Sequence, residues 1–337
     1  MNTLILNENQ IDIAAKIIKN GGLVAMPTET VYGLAANALD GEAVSKIYAA
    51  KGRPSDNPLI VHVASVEDIY PLVTEFCDKA KKLIESFCPG PLTIVFPKSD
   101  VIPKEISGGL DTVAIRFPSN EIACKLIRAA GVPLAAPSAN ISGSPSPTAC
   151  EHVKRDLFGK IDAIIDGGRC SVGVESTVIT LANPEKPVLL RPGGITLEML
   201  QSVIGNVEVD PAVLNPLAKT AKAASPGMKY KHYSPKAKVI LVKGNDKAFY
   251  DFVNSQNKDD CAALCYDEDT EHITVPYVTY GSKSNYETQA KKLFTALRRI
   301  DDRGFKTVYG RCPETDGIGL AVYNRLIRAA GFEVIEL

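Results

Sequence analysis

Lys51, Arg53, Asn57 and His62 all fall within KGRPSDNPLIVH at 51–62, the densest concentration of chemistry-bearing side chains in the chain. Two cations beside a proline-enforced turn suit the grip of an anion. The apolar run at 59–63 then carries His62 into a buried strand. The alternative is a solvated basic turn followed by a core histidine. In PTETVYGLAANA (27–38), Thr30 follows a strand and can hydrogen-bond a small substrate or cap the next turn. TVAIRFP (112–118) buries Arg116 in an apolar strand, where an unpaired charge costs about 3–5 kcal/mol. An internal carboxylate or a substrate carboxylate has to pair with it.

APSANISGSPSPT (136–148) offers Ser138, Asn140 and Ser146, with backbone N–H groups, to phosphate or ribose oxygens. DGGRCSVGVEST (166–177) ends in Ser176 and Thr177 at the head of a strand. LLRPGG (189–194) fixes Arg191 before a proline, as Arg53 is fixed. Lys51, Arg53, Arg116 and Arg191 thus supply cations on rigid turns or strands, with serine and asparagine around them. Charge-assisted contacts at ~1.5–3 kcal/mol each would hold a polyanion such as a nucleotide triphosphate. The residues by themselves describe a small-molecule enzyme that handles a nucleotide and a small carboxylate.

Several familiar signatures are missing. The chain has no GxxxxGK[ST] loop, no GxSxG and only four histidines, which weakens P-loop and serine-hydrolase readings. GIGLAV (317–322) resembles a shortened dinucleotide fingerprint, but follows no clear strand and reads as close packing at a helix start. The eight cysteines form no CxxC pair and fit reduced core thiols.

The elements that must position these residues alternate along the chain. Strands are expected at 4–6, 23–26, 59–63, 92–96, 112–116, 134–136, 163–165, 176–180 and 188–190, with helices near 41–50, 78–87, 120–130, 148–157 and 196–203. Such irregular connections point to one large twisted mixed sheet. Residues 210–237 hold four prolines and several lysines without a periodic core, which is linker composition. Beyond them, strands at 239–242, 261–265, 273–278, 306–309 and 333–336 alternate with helices at 245–256, 285–302 and 318–330, the pattern of a small doubly wound domain. The expected architecture is α/β: a mixed-sheet domain at 1–208, a linker or lid at 209–237 and a Rossmann-like domain at 238–337. At 337 residues, two domains is the ordinary expectation. The 38 basic and 39 acidic residues argue against a protein whose main task is coating nucleic acid. No apolar run approaches the ~20 residues of a membrane span, so a cytoplasmic location is expected.

PTETVYGL, KGRPSDNPLIVH, PGPLTIV, TVAIRFP, APSANISG, ESTVI and LLRPGGI, in this order, resemble the YrdC/YciO family of threonylcarbamoyl-AMP synthases. SPGMKYKHYSP (225–235) and the terminal α/β region are similar to the two-domain form of that family. The resemblance implies that L-threonine, bicarbonate and ATP give threonylcarbamoyl-AMP and pyrophosphate. Separate machinery would then transfer the threonylcarbamoyl group to tRNA. It implies a threonine pocket of Thr30, His62, Arg116, Ala136 and Ser176. It implies an ATP site of Lys51, Arg53, Asn57, Thr112, Ser138, Ser146, Arg191 and the linker residue Tyr230, with Lys51 and Arg53 as the catalytic cations. Mg²⁺ is implied with ATP, although no acidic pair in the motifs announces its ligands. No motif residue is an obvious covalent nucleophile, so catalysis would rest on positioning and on cations at the phosphates; His62 reads as an orienting group more than a base. An RNA-binding module using the same basic cleft is the alternative, opposed by the absence of stacking aromatics among the basic segments. A carbamoyl-phosphate enzyme with a related domain is a third reading, opposed by the lack of an acylphosphatase-like region or zinc-finger cysteines.

Overall fold

A computed structural model describes residues 2–216 and 233–337. The first unit contains β1 (Leu4–Leu6), α1 (Ile11–Lys19), β2 (Val24–Met26), β3 (Gly33–Asn37), α2 (Gly41–Lys51), β4 (Ile60–His62), α3 (Asp78–Phe87), β5 (Leu92–Pro97) and α4 (Lys104–Ser107). It continues through β6 (Thr112–Arg116), α5 (Glu121–Ala130), β7 (Leu134–Ala135), α6 (Cys150–Leu157), β8 (Ala163–Ile165), β9 (Thr177–Thr180), β10 (Val188–Arg191), α7 (Leu197–Ile204) and β11 (Glu208–Val209). Among the described residues these strands form one eleven-stranded sheet in the order β1-β8-β2-β3-β7-β4-β6-β5-β9-β10-β11. Its pairings are mixed: β4 and β6 run parallel, as do β5 and β9, whereas β5 and β6 run antiparallel.

Local chemistry places the helices. Ile11, Ala14, Ala15 and Ile18 give α1 one buried face at helical spacing. Asp40 caps α2 by accepting from the N–H groups of Glu42 and Ala43, and Gly52 ends it at φ 61°. That left-handed turn sets Lys51 on the helix and Arg53 just beyond it. β3 departs from the expectation of a polar loop after β2. Its GLAAN sequence carries no β-branched residue and no alternation, and it pairs with β2 and β7 in the sheet interior through small side chains.

Alternation along the central strands separates the two faces of the sheet. Val61, Ile115, Ile179 and Leu189 pack into the main core with α2 and α3. Ile60, Ala114, Val178 and Leu190 form a second cluster on the opposite face, joined by Ala212. That opposite face also carries His62 and Arg116, which are direct partners in the β4–β6 register.

The second unit contains β12 (Lys238–Lys243), α8 (Asp246–Asn254), β13 (Cys261–Cys265), β14 (Tyr277–Thr279), α9 (Tyr286–Arg303), β15 (Thr307–Arg311), α10 (Gly319–Ala329) and β16 (Val334–Glu336). Its sheet, in the order β14-β13-β15-β12-β16, is parallel throughout. α8 packs on one face with Val242 and Ala263, and α9 and α10 on the other with Val239 and Leu264, so the winding is double. The GIGLAV segment opens α10, where a Cβ on Gly319 would lie 2.6 Å from the Glu314 carbonyl oxygen. No helix among the described residues is long and apolar enough to cross a membrane.

The two units share a core. Val31 and Val174 of the first pack with Tyr233, Phe294 and Leu297 in the cluster of the second. Residues 211–213, read from sequence as unpatterned linker, form a short 3-10 turn with Ala212 and Val213 buried; three residues are too few to show a period. Arg298 of α9 pairs with Asp156 at 2.6 Å and donates to the Pro145 carbonyl oxygen at 2.6 Å. Gly173 sits at φ +89°, and a Cβ there would lie 2.4 Å from Lys291 Cα in α9. Gly173→Ala is therefore expected to lose about 1–3 kcal/mol of stability, through backbone strain and overpacking at the junction. Urea denaturation checks this; an unchanged midpoint would show that α9 can back away freely.

Candidate active site

The strand directions bring the site together. β4, β6 and β10 end, and β5 and β9 begin, along one rim of the large sheet. His62 and Arg116 stand at the ends of neighbouring parallel strands. Thr93 lies opposite Arg116, Ser176 immediately precedes β9, and Arg191 closes β10.

The internal carboxylate that Arg116 required is Glu29. Their Nη2 and Oε1 atoms lie 2.7 Å apart with both side chains buried. Burial is the largest influence on Glu29 and raises its pKa. The charge and close contact of Arg116, together with the backbone N–H groups of Glu29 and Ser119, outweigh it and hold the carboxyl below its ordinary value. Arg116 Nη2 is engaged by Glu29, and Nε keeps unmet donor capacity among the described residues. Burial, with Arg116 second, pushes the His62 imidazole down to about 3. His62 Nδ1 lies 3.3 Å from the Ile60 carbonyl oxygen.

Thr28 donates to the Val31 carbonyl oxygen at 2.6 Å, so in its 2.9 Å contact with Thr30 the Thr30 hydroxyl is the donor. Ser176 shares a 2.8 Å hydroxyl bond with Thr93, and its Oγ accepts from Arg191 Nη2 at 3.0 Å. Arg191 Nε also donates to the Ser176 carbonyl oxygen at 3.0 Å. Burial lowers the Arg191 pKa to about 10, which leaves it charged at neutral pH.

The five residues expected in the threonine pocket line one cavity: Thr30, His62, Arg116, Ala136 and Ser176. Arg53, Ser138 and Arg191 from the expected ATP site line it as well. Four others are turned elsewhere. Lys51 is buried and donates to the carbonyl oxygens of Ser138 and of Asn140, the latter at 2.6 Å. Burial, then the nearby Arg53, puts its pKa well below the lysine range. The lysine ties down the 136–148 loop and does not reach the cavity. Ser146 gives its hydroxyl proton to Glu175 Oε1. Thr112 starts β6, about 13 Å along the strand from Arg116. Asn57 is buried off the cavity, with neither side-chain amide atom hydrogen-bonded among the described residues. Tyr230 lies outside the described residues.

Five cavity residues were not read from the sequence as site residues, the apolar Val31, Ile60 and Pro137 and the polar Glu175 and Tyr233. Glu175 stands inside the quoted ESTVI motif, and its place beside Ser176 was the available signal. Tyr233 belongs to the same KYKHY segment as Tyr230; nothing in that linear run separates the two tyrosines. The cavity measures about 50 Å³, room for a few water molecules.

A larger cavity of about 890 Å³ opens at the carboxyl ends of β12, β13 and β15. There Arg311 is held by Asp246 and Asp269, Lys283 by Asp246 and Lys247 by Asp251. Its cations are spent on its own acids. The smaller cavity, where Arg116, Arg53 and Arg191 converge, is the candidate site.

Residues 16–193 match the Sua5/YciO/YrdC family model, described as telomere recombination, and residues 195–331 match the threonylcarbamoyl-AMP synthase C-terminal domain. The threonylcarbamoyl-AMP synthase of Pyrococcus abyssi is 48% identical over 99% of this chain and 100% of its own length. That of Bacillus subtilis is 44% identical over 99% of this chain and 96% of its own. The crystal structure of P. abyssi Sua5 complexed with L-threonine superposes with a TM-score of 0.92 at 47% identity, covering 99% of this chain and 100% of that one. Sheet, rim and second unit together with this full-length likeness make the chain a member of the Sua5/YciO/YrdC family of threonylcarbamoyl-AMP synthases.

Proposed function

We infer that the protein is an L-threonylcarbamoyladenylate synthase, a nucleotidyltransferase that joins L-threonine, bicarbonate and the AMP part of ATP, releasing pyrophosphate and water. The observation that carries this reading is Arg116: a buried guanidinium at a cavity wall, ion-paired to Glu29 yet with hydrogen-bonding capacity left over. An amino-acid carboxylate is the group that meets that capacity. Because Thr30 gives its proton to Thr28, its oxygen lone pairs suit an ammonium or amine donor of the same substrate. Relatives named threonylcarbamoyl-AMP synthase and a solved relative holding L-threonine support the same reading.

In the proposed reaction the threonine amine captures CO₂ derived from bicarbonate, and a carbamate oxygen attacks the α-phosphorus in line as pyrophosphate leaves. Arg53 and Arg191 approach the cavity and are suited to stabilise charge on the phosphates. Lys51 acts at one remove, by fixing the Ser138 segment. Thr112 and Asn57 are assigned to the distal, adenosine end, and Ser146 to the side of Glu175. The acids around the cavity are bound by arginines, Glu29 by Arg116 and Glu175 by Arg325. Among the described residues no group of three or more His, Cys, Asp or Glu could hold a metal. This donor set does not fit a resident Mg²⁺; an ion accompanying ATP would take its ligands from phosphate and water.

ATP does not fit a cavity of about 50 Å³, since ligand sites run to about 300 Å³ and above. Tyr233, on the wall and belonging to the segment between the units, is the proposed gate; the rest of the KYKHY run lies outside the described residues. The product would serve tRNA threonylcarbamoylation in the cytoplasm.

Mass spectrometry of reactions with ATP, bicarbonate and either threonine or serine is expected to detect threonylcarbamoyl-AMP and far less of the serine adduct. Steeply salt-dependent RNA binding with no threonine-dependent ATP turnover would instead favour the RNA-binding reading.

A buried imidazole at about pKa 3 is a poor base at neutral pH. His62→Gln should raise KM for threonine about tenfold and leave kcat within about threefold; a general base would cost about 10²–10⁴ in kcat. The same histidine sets a pH dependence of stability. Its folded pKa lies below its unfolded value of about 6.5, so the unfolded chain takes up the proton first. Stability conferred by the neutral form is complete above that pH and is lost as pH falls from about 6.5 toward 3. Between pH 6.5 and 5 the wild type should lose about 1.5 kcal/mol more than His62→Gln, read from denaturant titrations at each pH.

A further inference from the structure

Arg325 is fully buried in the middle of α10, yet its guanidinium points away from the core of its own unit. Nε donates to Glu175 Oε2 at 2.9 Å, Nη2 to the Glu175 carbonyl oxygen at 3.2 Å and Nη1 to the Pro192 carbonyl oxygen at 2.6 Å. Nη1 also receives support within α10 from Asn324 Oδ1 at 3.1 Å. Every partner in the first unit belongs to a motif that forms the cavity. Glu175 lines it directly, and Pro192 follows Arg191. The other Glu175 oxygen accepts the Ser146 hydroxyl. Gly193 packs so tightly that a Cβ would lie 2.3 Å from the Thr177 nitrogen and 2.7 Å from the Glu175 carbonyl oxygen, so the two motifs touching Arg325 are also locked to each other.

We propose that Arg325 is a positioning residue for the reaction: from the second unit it holds Glu175, and through Glu175 the Ser146 hydroxyl and the Arg191 wall, in the arrangement that receives the nucleotide. The proposal deepens the synthase reading and rests on it for the identity of the nucleotide.

Charge explains why an arginine is needed there. Burial raises the Glu175 pKa, and Arg325, then Arg191, overcome it and keep the carboxylate ionised. The charged or titratable groups facing Glu175 are Arg325 from α10, Arg191 from β10, Lys51 from α2 and Tyr233. Without Arg325, Arg191 is the remaining guanidinium close enough to compensate. Turning toward Glu175 would take it from the Ser176 oxygens it now holds. Alternatively Glu175 would take up a proton. Either outcome disturbs the phosphate side of the cavity from a residue that touches no substrate.

The test compares Arg325→Gln, Arg325→Lys and the double variant Glu175→Gln/Arg325→Gln in the full chain, by steady-state kinetics and by calorimetric ATP titration. Arg325→Gln is expected to raise KM for ATP about tenfold or more. Where Glu175 takes up the proton, kcat/KM should gain a pH inflection that the wild type lacks, from a carboxyl that has lost its main counter-charge. The double variant should lose that inflection and recover part of the ATP affinity, and Arg325→Lys should fall between wild type and Arg325→Gln. Wild-type KM and pH profile in Arg325→Gln would overturn the proposal, as would a loss of activity that only follows the folded fraction measured by circular dichroism. Should Arg325→Gln not fold, Arg325→Lys decides: a raised KM for ATP at unchanged melting temperature supports the role, and a wild-type KM overturns it. If the wild type makes no threonylcarbamoyl-AMP the synthase reading fails, while ATP titration of the same variants at pH 6 and pH 8 still judges Arg325.

Discussion

Lys51, Arg53, Arg116, Arg191 and Arg325 are each less than a tenth exposed, and each has given up water that only a protein or ligand partner can replace. Removing one partner from a buried ion pair costs about 3–5 kcal/mol, so such a group of cations is tolerable only where acceptors are built in at the same time. The sheet supplies them at both ends of its central strands. Strand ends and the loops beyond them expose carbonyl oxygens that no ladder uses. Lys51 takes those of Ser138 and Asn140, Arg53 that of Pro58 at 3.2 Å, and Arg191 that of Ser176. Carboxylates are added at two of these cations, Glu29 at Arg116 and Glu175 at Arg325. The pocket is therefore lined by cations that are buried and held by protein acceptors, which favours strong interaction with an anionic substrate.

That economy also explains what the sequence could and could not convey. β6, β8, β13 and α3 lie where periodicity placed them, because each presents an unbroken apolar pattern. β3 did not, since its glycine and alanines have no alternation to read. Motif membership brought Thr30, His62, Arg116, Ala136, Ser176, Arg53, Ser138 and Arg191 to one cavity. The same motifs gave no warning that Lys51 and Ser146 turn inward to carbonyl and carboxylate oxygens. Spacing along a chain fixes which loop a side chain occupies, but the direction it takes depends on acceptors contributed by distant segments. The pairing of Arg116 illustrates this: the need for a carboxylate was legible in TVAIRFP, and its identity as Glu29 was not.

The second unit illustrates the limit of arguing from fold. Its parallel sheet opens a large crevice at the carboxyl ends of its strands, where doubly wound sheets commonly bind ligands. Within that crevice Arg311 is enclosed by Asp246, Asp269 and the rings of Phe249, Tyr250 and Tyr266, an arrangement that satisfies the cation internally. A doubly wound topology alone gives that crevice no substrate.

The clearer functional surface of this unit is α10. Ala321, Val322, Leu326 and Ile327 pack into its own core. Asn324, Arg325 and Arg328 face the other way, and Asn324 and Arg328 donate to the carbonyl oxygens of Val213 and Ala212 at 2.7 and 2.6 Å. One helix thus serves two cores, apolar toward the small sheet and hydrogen-bonding toward the large one. An interface made only of apolar contacts could slide; one in which three buried polar side chains each find a named carbonyl or carboxylate has a single register, because any shift would strand donors away from water. Tyr233 lies against this same junction, with its ring 5.3 Å from Phe294 and 5.9 Å from the Arg325 guanidinium carbon. The position of the cavity wall is consequently set by the second unit as much as by the first, which is a physical reason for the two to be carried on one chain.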